Sequence, residues 1–234
     1  MLKVCLNGGR DRREHPAVPV TAAELAADAA RCVAAGAAAI HLHPRGADET
    51  ETLDPAAVGA ALTAIRAACP GVPVGVSTGA WIVPRPEERV AAVRSWEVLP
   101  DFASVNAHEE GAEEVAAALC ERGIGVEAGL WTLDAVRAYR GWRVPVLRVL
   151  LECMDPTPEA ATADAEAMLA ALPVGSPRVL MHAEGPAVWH VLRLAVRLGL
   201  DSRIGLEDTT DLPDGSRTPD NAALVAAAMA VGAR

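Results

Sequence analysis

Aromatic residues are scarce in this chain. Only seven of its 234 residues are aromatic (five Trp, one Tyr and one Phe), whereas 51% are hydrophobic. A core built from such a composition consists mainly of Ala, Val and Leu, and the chain is long enough to bury one. Single α/β barrels often reach this length, so we expect one domain over residues 1–234.

An excess of positive charge is also missing. The formal charge is −10, which argues against a nucleic acid or an anionic membrane as partner. No apolar run has membrane-spanning length, and the opening MLKVCLNGGRDRREHP lacks the pattern of a signal peptide. The expected location is therefore the cytoplasm.

The cysteines do not form a recognisable framework. There are five of them, widely spaced and mostly inside apolar segments. This pattern is typical of free thiols in a reducing compartment and not of a disulfide scaffold or a Cys-based zinc site. A glycine-rich loop of the dinucleotide-binding type is also absent, which argues against NAD.

Alternation dominates the chain instead. A short β-rich run, a polar or Gly/Pro break and an Ala-rich stretch with helical periodicity recur eight times. The β-rich runs are LKVCLNG, AAIHLHP, VPVGVSTG, FASVNAH, IGVEAGLW, VPVLRVLLE, PRVLMHAEG and SRIGLEDT. Helices are predicted to begin near Thr21, Pro55, Pro86, Gly111, Thr132, Thr157, Pro186 and Pro219. Eight such units predict a (β/α)8 TIM barrel, with a doubly wound open sheet as the alternative.

Several helix starts carry recognisable capping signals. Thr21 and Glu24 have capping-box spacing, while Asp54 and Thr157 each precede a proline at the predicted first helical position. Polar residues collect at the opposite junctions, where strands run into helices. In a barrel these carboxyl ends form one rim, so we expect the active site there.

Two of the six histidines, His41 and His43, end the second β-rich run. Residues two apart in a strand point to the same face, and paired imidazoles suit Zn²⁺ or a similar ion. A carboxylate would complete a catalytic site with open coordination positions. The candidates at strand ends are Glu127, Glu152, Glu184 and Glu207.

The eighth run, RIGLEDT, favours one of these carboxylates. Arg203 and Glu207 are four apart, on the same side of an extended strand, and Gly205 between them leaves room. Asp208 follows as a base or as the orienting partner of Arg203. An ordinary Arg–carboxylate ion pair is the structural alternative.

These segments resemble the β-keto acid cleavage enzyme family. The matching pieces are NGG, HPAVPVT, AAGAAAIHLHPR, STG, ASVN, GIGVEAG and RIGLEDT, in order from Asn7 to Asn221. The resemblance implies a metal-dependent (β/α)8 enzyme in which a β-keto acid and acetyl-CoA give acetoacetate and a new acyl-CoA. Zn²⁺ or another divalent cation is then the cofactor, and acetyl-CoA is the co-substrate.

The resemblance also implies roles for particular residues. His41, His43 and Glu207 are the expected metal ligands, and Arg203, Asp208 and Glu127 are the expected catalytic residues. The expected substrate-binding residues are Ser77, Thr78, Gly79 and Asn106 and, from their charge and not from the resemblance, Arg10 and Arg45. The two arginines would supply positive charge for the acid or for the CoA phosphates.

One departure from the family concerns the substrate. Where a member that binds a substrate amine has a glutamate after its first strand, this chain has Gly9 and Arg10. We therefore expect a small anionic keto acid without an amino group, together with a CoA thioester, and a homo-oligomeric assembly. His182 and Glu184 are more polar than expected for the seventh strand, and their role stays open.

Other functions fit the same residues. A CoA-independent, metal-dependent aldolase or lyase would share the metal and the Arg203–Asp208 pair. A catalytically silent barrel would bind metal without turnover. If His41 and His43 are purely structural, no metal binds.

Overall fold

The computed structural model describes residues 1–234 as one barrel of alternating strands and helices. The strands are β1 (Leu2–Cys5), β2 (Ala39–Leu42), β3 (Val74–Ser77), β4 (Phe102–Asn106), β5 (Gly125–Leu130), β6 (Arg148–Cys153), β7 (Arg178–Ala183) and β8 (Ser202–Ile204). The helices are α1 (Ala22–Ala34), α2 (Pro55–Ala68), α3 (Pro86–Ser95), α4 (Ala112–Glu121), α5 (Leu133–Tyr139), α6 (Pro158–Ala171), α7 (Val188–Leu198) and α8 (Asn221–Ala230). A short 3₁₀ turn, Gly185–Ala187, precedes α7.

All the strand pairs are parallel, in the order β7-β6-β5-β4-β3-β2-β1-β8. The sheet closes between β7 and β8, where the Met181 amide donates to the Asp201 carbonyl and the Asp201 amide donates to that of Val179. The Ser202 hydroxyl adds a bond to the Met181 carbonyl. The prediction of a TIM barrel is thus confirmed, and the open-sheet alternative is wrong.

Local signals account for most helix starts. Thr21 accepts from the Glu24 amide while the Glu24 carboxylate accepts from the Thr21 amide, which is the predicted capping box. Asp54 accepts from two amides of α2. Thr157 occupies the N-cap position of α6 and Pro158 its first helical position, as predicted, but the Thr157 side chain makes no capping bond and donates instead to Asp155.

Small aliphatic side chains from both sheet and helices fill the core, as the composition predicted. The lower interior of the barrel holds a buried Lys3–Glu127 ion pair, with Arg148 3.3 Å from the same carboxylate. The ring of Phe102 lies against both cations and covers Gly75, where a Cβ would be 2.0 Å from the ring. This packing closes the barrel below the site.

No helix in the structure combines the length and the apolar character needed to span a bilayer. The five cysteines are all free.

Candidate active site

The two histidines at the end of β2 are held in place by β1 and by Asn7, which follows β1. His41 pairs with Cys5 of β1, and His43 follows directly after β2. Asn7 holds the His43 backbone from both sides: its side-chain oxygen accepts from the His43 amide and its nitrogen donates to the His43 carbonyl, each at 2.9 Å. The two imidazoles project on the same side, with ring centroids 5.2 Å apart.

Glu207 reaches the same place from a turn and not from an extended strand. β8 ends at Ile204, and the following residues turn, so the predicted strand geometry is wrong here. Gly205 does leave room, but for β1: a Cβ at this position would lie 1.9 Å from the Cys5 carbonyl oxygen. The turn is held by the Leu206 amide, which donates to the buried Asn221 side chain.

The three side chains form a buried set of potential metal ligands. The Glu207 Oε2 atom lies 3.9 Å from His41 Nε2 and 3.7 Å from His43 Nε2. Those separations are too long for hydrogen bonds, and Glu207 Oε2 has no partner although it is buried. They are slightly wider than the ~3.3 Å edge of a tetrahedron with zinc–ligand bonds of ~2.0–2.1 Å. His41, His43 and Glu207 therefore fit a divalent cation.

The electrostatics of the set suit the same role. Burial lowers the pKa of His41 well below its usual range, so this imidazole is neutral. Burial alone would also lower the pKa of His43, but the Glu207 and Glu51 carboxylates outweigh it and raise that pKa to about 9. Burial raises the pKa of Glu207, yet Arg203 and the two histidines hold it well below normal. The centre thus offers a neutral imidazole and a carboxylate, with a second imidazole that can exchange its proton for a metal ion.

Sequence reasoning missed the residue behind His43. Glu51 accepts a hydrogen bond from His43 Nδ1 and, at 3.1 Å, from the indole nitrogen of Trp81. A carboxylate behind a ligating imidazole fixes the ring and raises its basicity. Nothing local marked Glu51, since it lies among several acidic residues in the β2–α2 loop.

Arg203 and Asp208 meet as expected. The Asp208 Oδ1 atom accepts from Arg203 Nε at 2.9 Å, and Arg203 Nη2 is also 3.0 Å from Glu207. The Asp208 Oδ2 atom is buried without a partner, and burial raises the pKa of this carboxyl to about 8 although Arg203 lowers it. Arg203 lines the cavity described below, whereas Asp208 lies fully buried behind it.

His182, whose role the sequence left open, lies beside this pair. Its Nδ1 atom is 3.7 Å from Asp208 and its Nε2 atom 3.5 Å from Glu152. Burial lowers the pKa of His182 well below its usual range. A neutral imidazole thus separates the two buried carboxylates. Burial also raises the pKa of Glu152 to about 7.

A cavity of about 400 Å³ opens over these groups at the carboxyl ends of the strands. Of the expected substrate-binding residues, Ser77, Asn106 and Arg10 line it. The Asn106 nitrogen donates to Glu109, which leaves its oxygen near Gly129, where a Cβ would be 2.4 Å away.

Three expected substrate-binding residues do not line the cavity. The Thr78 hydroxyl donates to the Ser104 carbonyl. Gly79 instead makes space for a ring, because a Cβ there would lie 2.4 Å from Trp81. Arg45 donates to the carbonyls of Gly8 and Arg10, so its guanidinium fastens the β1–α1 loop.

Glu127 is also displaced from its expected position near the metal. Its carboxylate is fully buried against Lys3 and Arg148 and does not line the cavity. Lys3 of β1, across the barrel, and Arg148 of the neighbouring strand β6 hold this carboxylate, which strand order alone did not reveal. The cavity is lined instead by two further carboxylates, Glu152 and Glu184, and by the unpredicted Trp81, Trp131 and Met154.

Comparisons with known proteins give this geometry a context. Residues 1–234 match the family described as beta-keto acid cleavage enzyme. The 3-oxoadipate:acetyl-CoA acetyltransferase of Cupriavidus necator is 38% identical over 80 residues, covering 34% of this chain and 28% of that protein. The 3-keto-5-aminohexanoate cleavage enzyme of Fusobacterium nucleatum is 35% identical over 107 residues, covering 45% of this chain and 38% of that protein.

Among solved structures, the ternary complex of ObcA with a C4-CoA adduct and oxalate superposes with a TM-score of 0.72 and 18% identity. The superposition covers 90% of this chain and 62% of the ObcA chain, and it shows a shared fold. The curated relatives match over less than two fifths of their own length, whereas the family match extends from the first residue to the last. The chain belongs to the β-keto acid cleavage enzyme family.

Proposed function

We propose that this chain is a metal-dependent enzyme that exchanges acyl groups between a β-keto acid and acetyl-CoA. The single observation that carries the proposal is the convergence of His41, His43 and Glu207, with an unpartnered buried carboxylate oxygen between two imidazoles. The family and the names of the two curated relatives support the same reaction class.

The reaction exchanges the acyl part of the keto acid. The α-carbon of the β-keto acid loses a proton and attacks the acetyl-CoA thioester, and thiolate leaves. The thiolate then attacks the original ketone, the bond between that ketone carbon and the α-carbon breaks, and the α-carbon takes back the proton that the base removed in the first step. The products are acetoacetate and the acyl-CoA of the original arm, so all atoms are conserved.

His41, His43 and Glu207 would hold a divalent cation, with Zn²⁺ as the expected ion. When bound, such an ion supplies Lewis-acid stabilisation for negative charge that develops on the keto acid oxygens. Arg203 presents positive charge from the cavity wall, and the Ser77 hydroxyl lies on the same surface for the substrate carboxylate.

The proton at the α-carbon needs a base. We assign it to Asp208, which is held by Arg203 and has a free Oδ2 atom, although Asp208 lies behind Arg203 and does not itself line the cavity. Glu152 lines the cavity, and its pKa is about 7, so it is the competing acceptor. A positioned base contributes about 10²–10⁴-fold to the rate.

The test is acetoacetate formation by metal-loaded protein offered a set of β-keto acids with and without acetyl-CoA. Formation that requires both acetyl-CoA and the metal supports the proposal, and His41→Ala should abolish it together with metal binding. Cleavage without acetyl-CoA would identify a lyase. Stoichiometric metal without any turnover would identify a silent metal-binding barrel.

A further inference from the structure

Four aromatic rings form a continuous surface from the proposed metal ligands to the mouth of the cavity. We call His43, Trp81, Trp131 and His108 the aromatic track. Successive ring centroids are 6.2, 6.4 and 4.8 Å apart. The first pair is stacked with an interplanar angle of 24°. These spacings lie within the ~4.5–7 Å range of interacting aromatic pairs.

The track uses aromatic side chains that are rare in this chain. Only five residues are Trp, and two of them line this one cavity. Trp81 is 50% exposed, and no other aromatic ring is among the exposed large hydrophobic side chains. An indole that stays exposed to water does not gain the favourable free energy of burying its large apolar surface, so an exposed aromatic surface is typical of a binding site.

The apolar part of the cavity is confined to one side. Its three hydrophobic residues, Trp81, Trp131 and Met154, follow β3, β5 and β6. The indole nitrogen of Trp81 is taken by Glu51, so this ring offers its apolar surface to a ligand.

The opposite side has no free cation for a second carboxylate. Arg10 is paired with Glu14 at 3.0 Å, and Arg203 is paired with Asp208 and Glu207. In the proposed function Arg203 faces the reacting end of the keto acid, so a dianionic keto acid would have to displace Glu14 from Arg10 to pair its distal carboxylate. This differs from the expectation that Arg10 supplies positive charge for the acid.

We propose that the keto acid carries an apolar, planar arm, such as an aryl group, that lies on Trp81 and Trp131. The inference rests on the proposed function, which places the ketone beside His41 and His43. The arm is bonded to the ketone carbon, so it begins next to the His43 ring, where the track also begins. Stacking on such rings contributes about 0.5–1.5 kcal/mol beyond area burial, about 2- to 13-fold in affinity.

Binding without turnover tests the arm independently of the reaction. Isothermal calorimetry on the metal-loaded protein would compare four carboxylates that cannot be cleaved: 3-phenylpropanoate, hexanoate, adipate and 6-aminohexanoate. We expect 3-phenylpropanoate to bind most tightly. Tighter binding of adipate or of 6-aminohexanoate would overturn the inference in favour of an anionic or a cationic arm, and equal binding of hexanoate would overturn the planar requirement.

Variants of Trp131 locate the effect, because Trp131 makes no hydrogen bond to the metal-ligand network. Trp131→Ala should remove the preference for the aryl ligand over hexanoate, and Trp131→Phe should retain part of it. Trp142, which packs on Tyr139 outside the cavity, gives the matched control Trp142→Phe. An unchanged ligand order in a folded Trp131→Ala protein would refute the assignment.

Turnover then separates this inference from the function on which it rests. With acetyl-CoA, 3-oxo-3-phenylpropanoate should be a better substrate than 3-oxohexanoate or 3-oxoadipate, mainly through a lower KM. Failure of every keto acid to give acetoacetate would refute the proposed function, whatever the calorimetry shows. Good turnover with 3-oxoadipate as the best substrate would refute only the aryl arm.

Discussion

Replacing Glu51 by glutamine should weaken metal binding while leaving the fold intact. Glu51 lies behind His43 and accepts hydrogen bonds from His43 Nδ1 and from Trp81. The substitution Glu51→Gln preserves size and an acceptor oxygen but removes the negative charge. The imidazole therefore stays oriented but becomes a less basic ligand.

The magnitude follows from the position of Glu51 behind a ligand. Loss of such a partner costs about 10- to 100-fold in metal affinity, about 1.4–2.8 kcal/mol. Because the acceptor is retained, we expect a loss of about tenfold. In the metal-free protein the pKa of His43, about 9 in the parent, should fall, since the Glu51 charge helps to raise it.

The assay is competition for Zn²⁺ with a chromophoric chelator, supported by NMR titration of the His43 ring. Glu49→Gln is the matched control: it makes the same chemical change in the same loop, at an exposed residue. Equal zinc affinities for Glu51→Gln, Glu49→Gln and the parent would refute the reasoning that Glu51 supports a metal ligand.

Three further predictions concern the same centre. Gly8→Ala should lower metal affinity, because Gly8 has φ +52° and a Cβ there would lie 2.4 Å from Glu207 Cγ. Gly71→Ala, at φ +80° with open space around it, controls for backbone strain alone. Equal zinc affinities in the two variants would contradict the prediction that the Gly8 substitution disturbs Glu207. Asp208→Asn should lower kcat by about 10²–10⁴-fold if Asp208 is the base, and Glu152→Gln should lower kcat much less. A larger loss of kcat in Glu152→Gln would identify Glu152 as the base. Chelation of the metal should lower the free energy of unfolding by about 2.7 kcal/mol relative to protein kept at a free metal concentration of about 100 times Kd. This loss corresponds to a Tm decrease on the order of 5–10 °C. An unchanged Tm would argue that no metal is bound.

The sequence predicted the barrel well because eight alternations of strand and helix leave few architectures open. It also identified the two histidines, since the two-residue period of a strand is a local property. It was wrong about the geometry of Glu207 because β8 ends early. The close contact of Gly205 with β1 that accompanies this turn involves a strand about 200 residues away in the chain, which no local pattern displays.

The residues that sequence reasoning misplaced share a physical cause. Glu127 and Arg45 were read as free charges, but each has stronger partners from a distant segment. Which partner captures a charge depends on side-chain reach across the barrel. The same holds for Trp81 and Trp131, which are typical core residues by type and become a cavity wall only through the β3–α3 and β5–α5 loops.

The charge distribution of the centre argues that it is built for a ligand and not for stability. Glu207 and Asp208 are both buried, each with one carboxylate oxygen that has no partner, and Arg203 is the one cation in contact with both. A buried polar oxygen without a hydrogen-bond partner costs about 1–3 kcal/mol, and an apolar replacement of equal size would remove that cost. A divalent cation between Glu207 and the imidazoles would take the place of the His43 proton as the positive charge beside Glu207 and would occupy its unpartnered oxygen. The unsatisfied oxygen of the metal-free centre and its proposed chemistry therefore have the same origin.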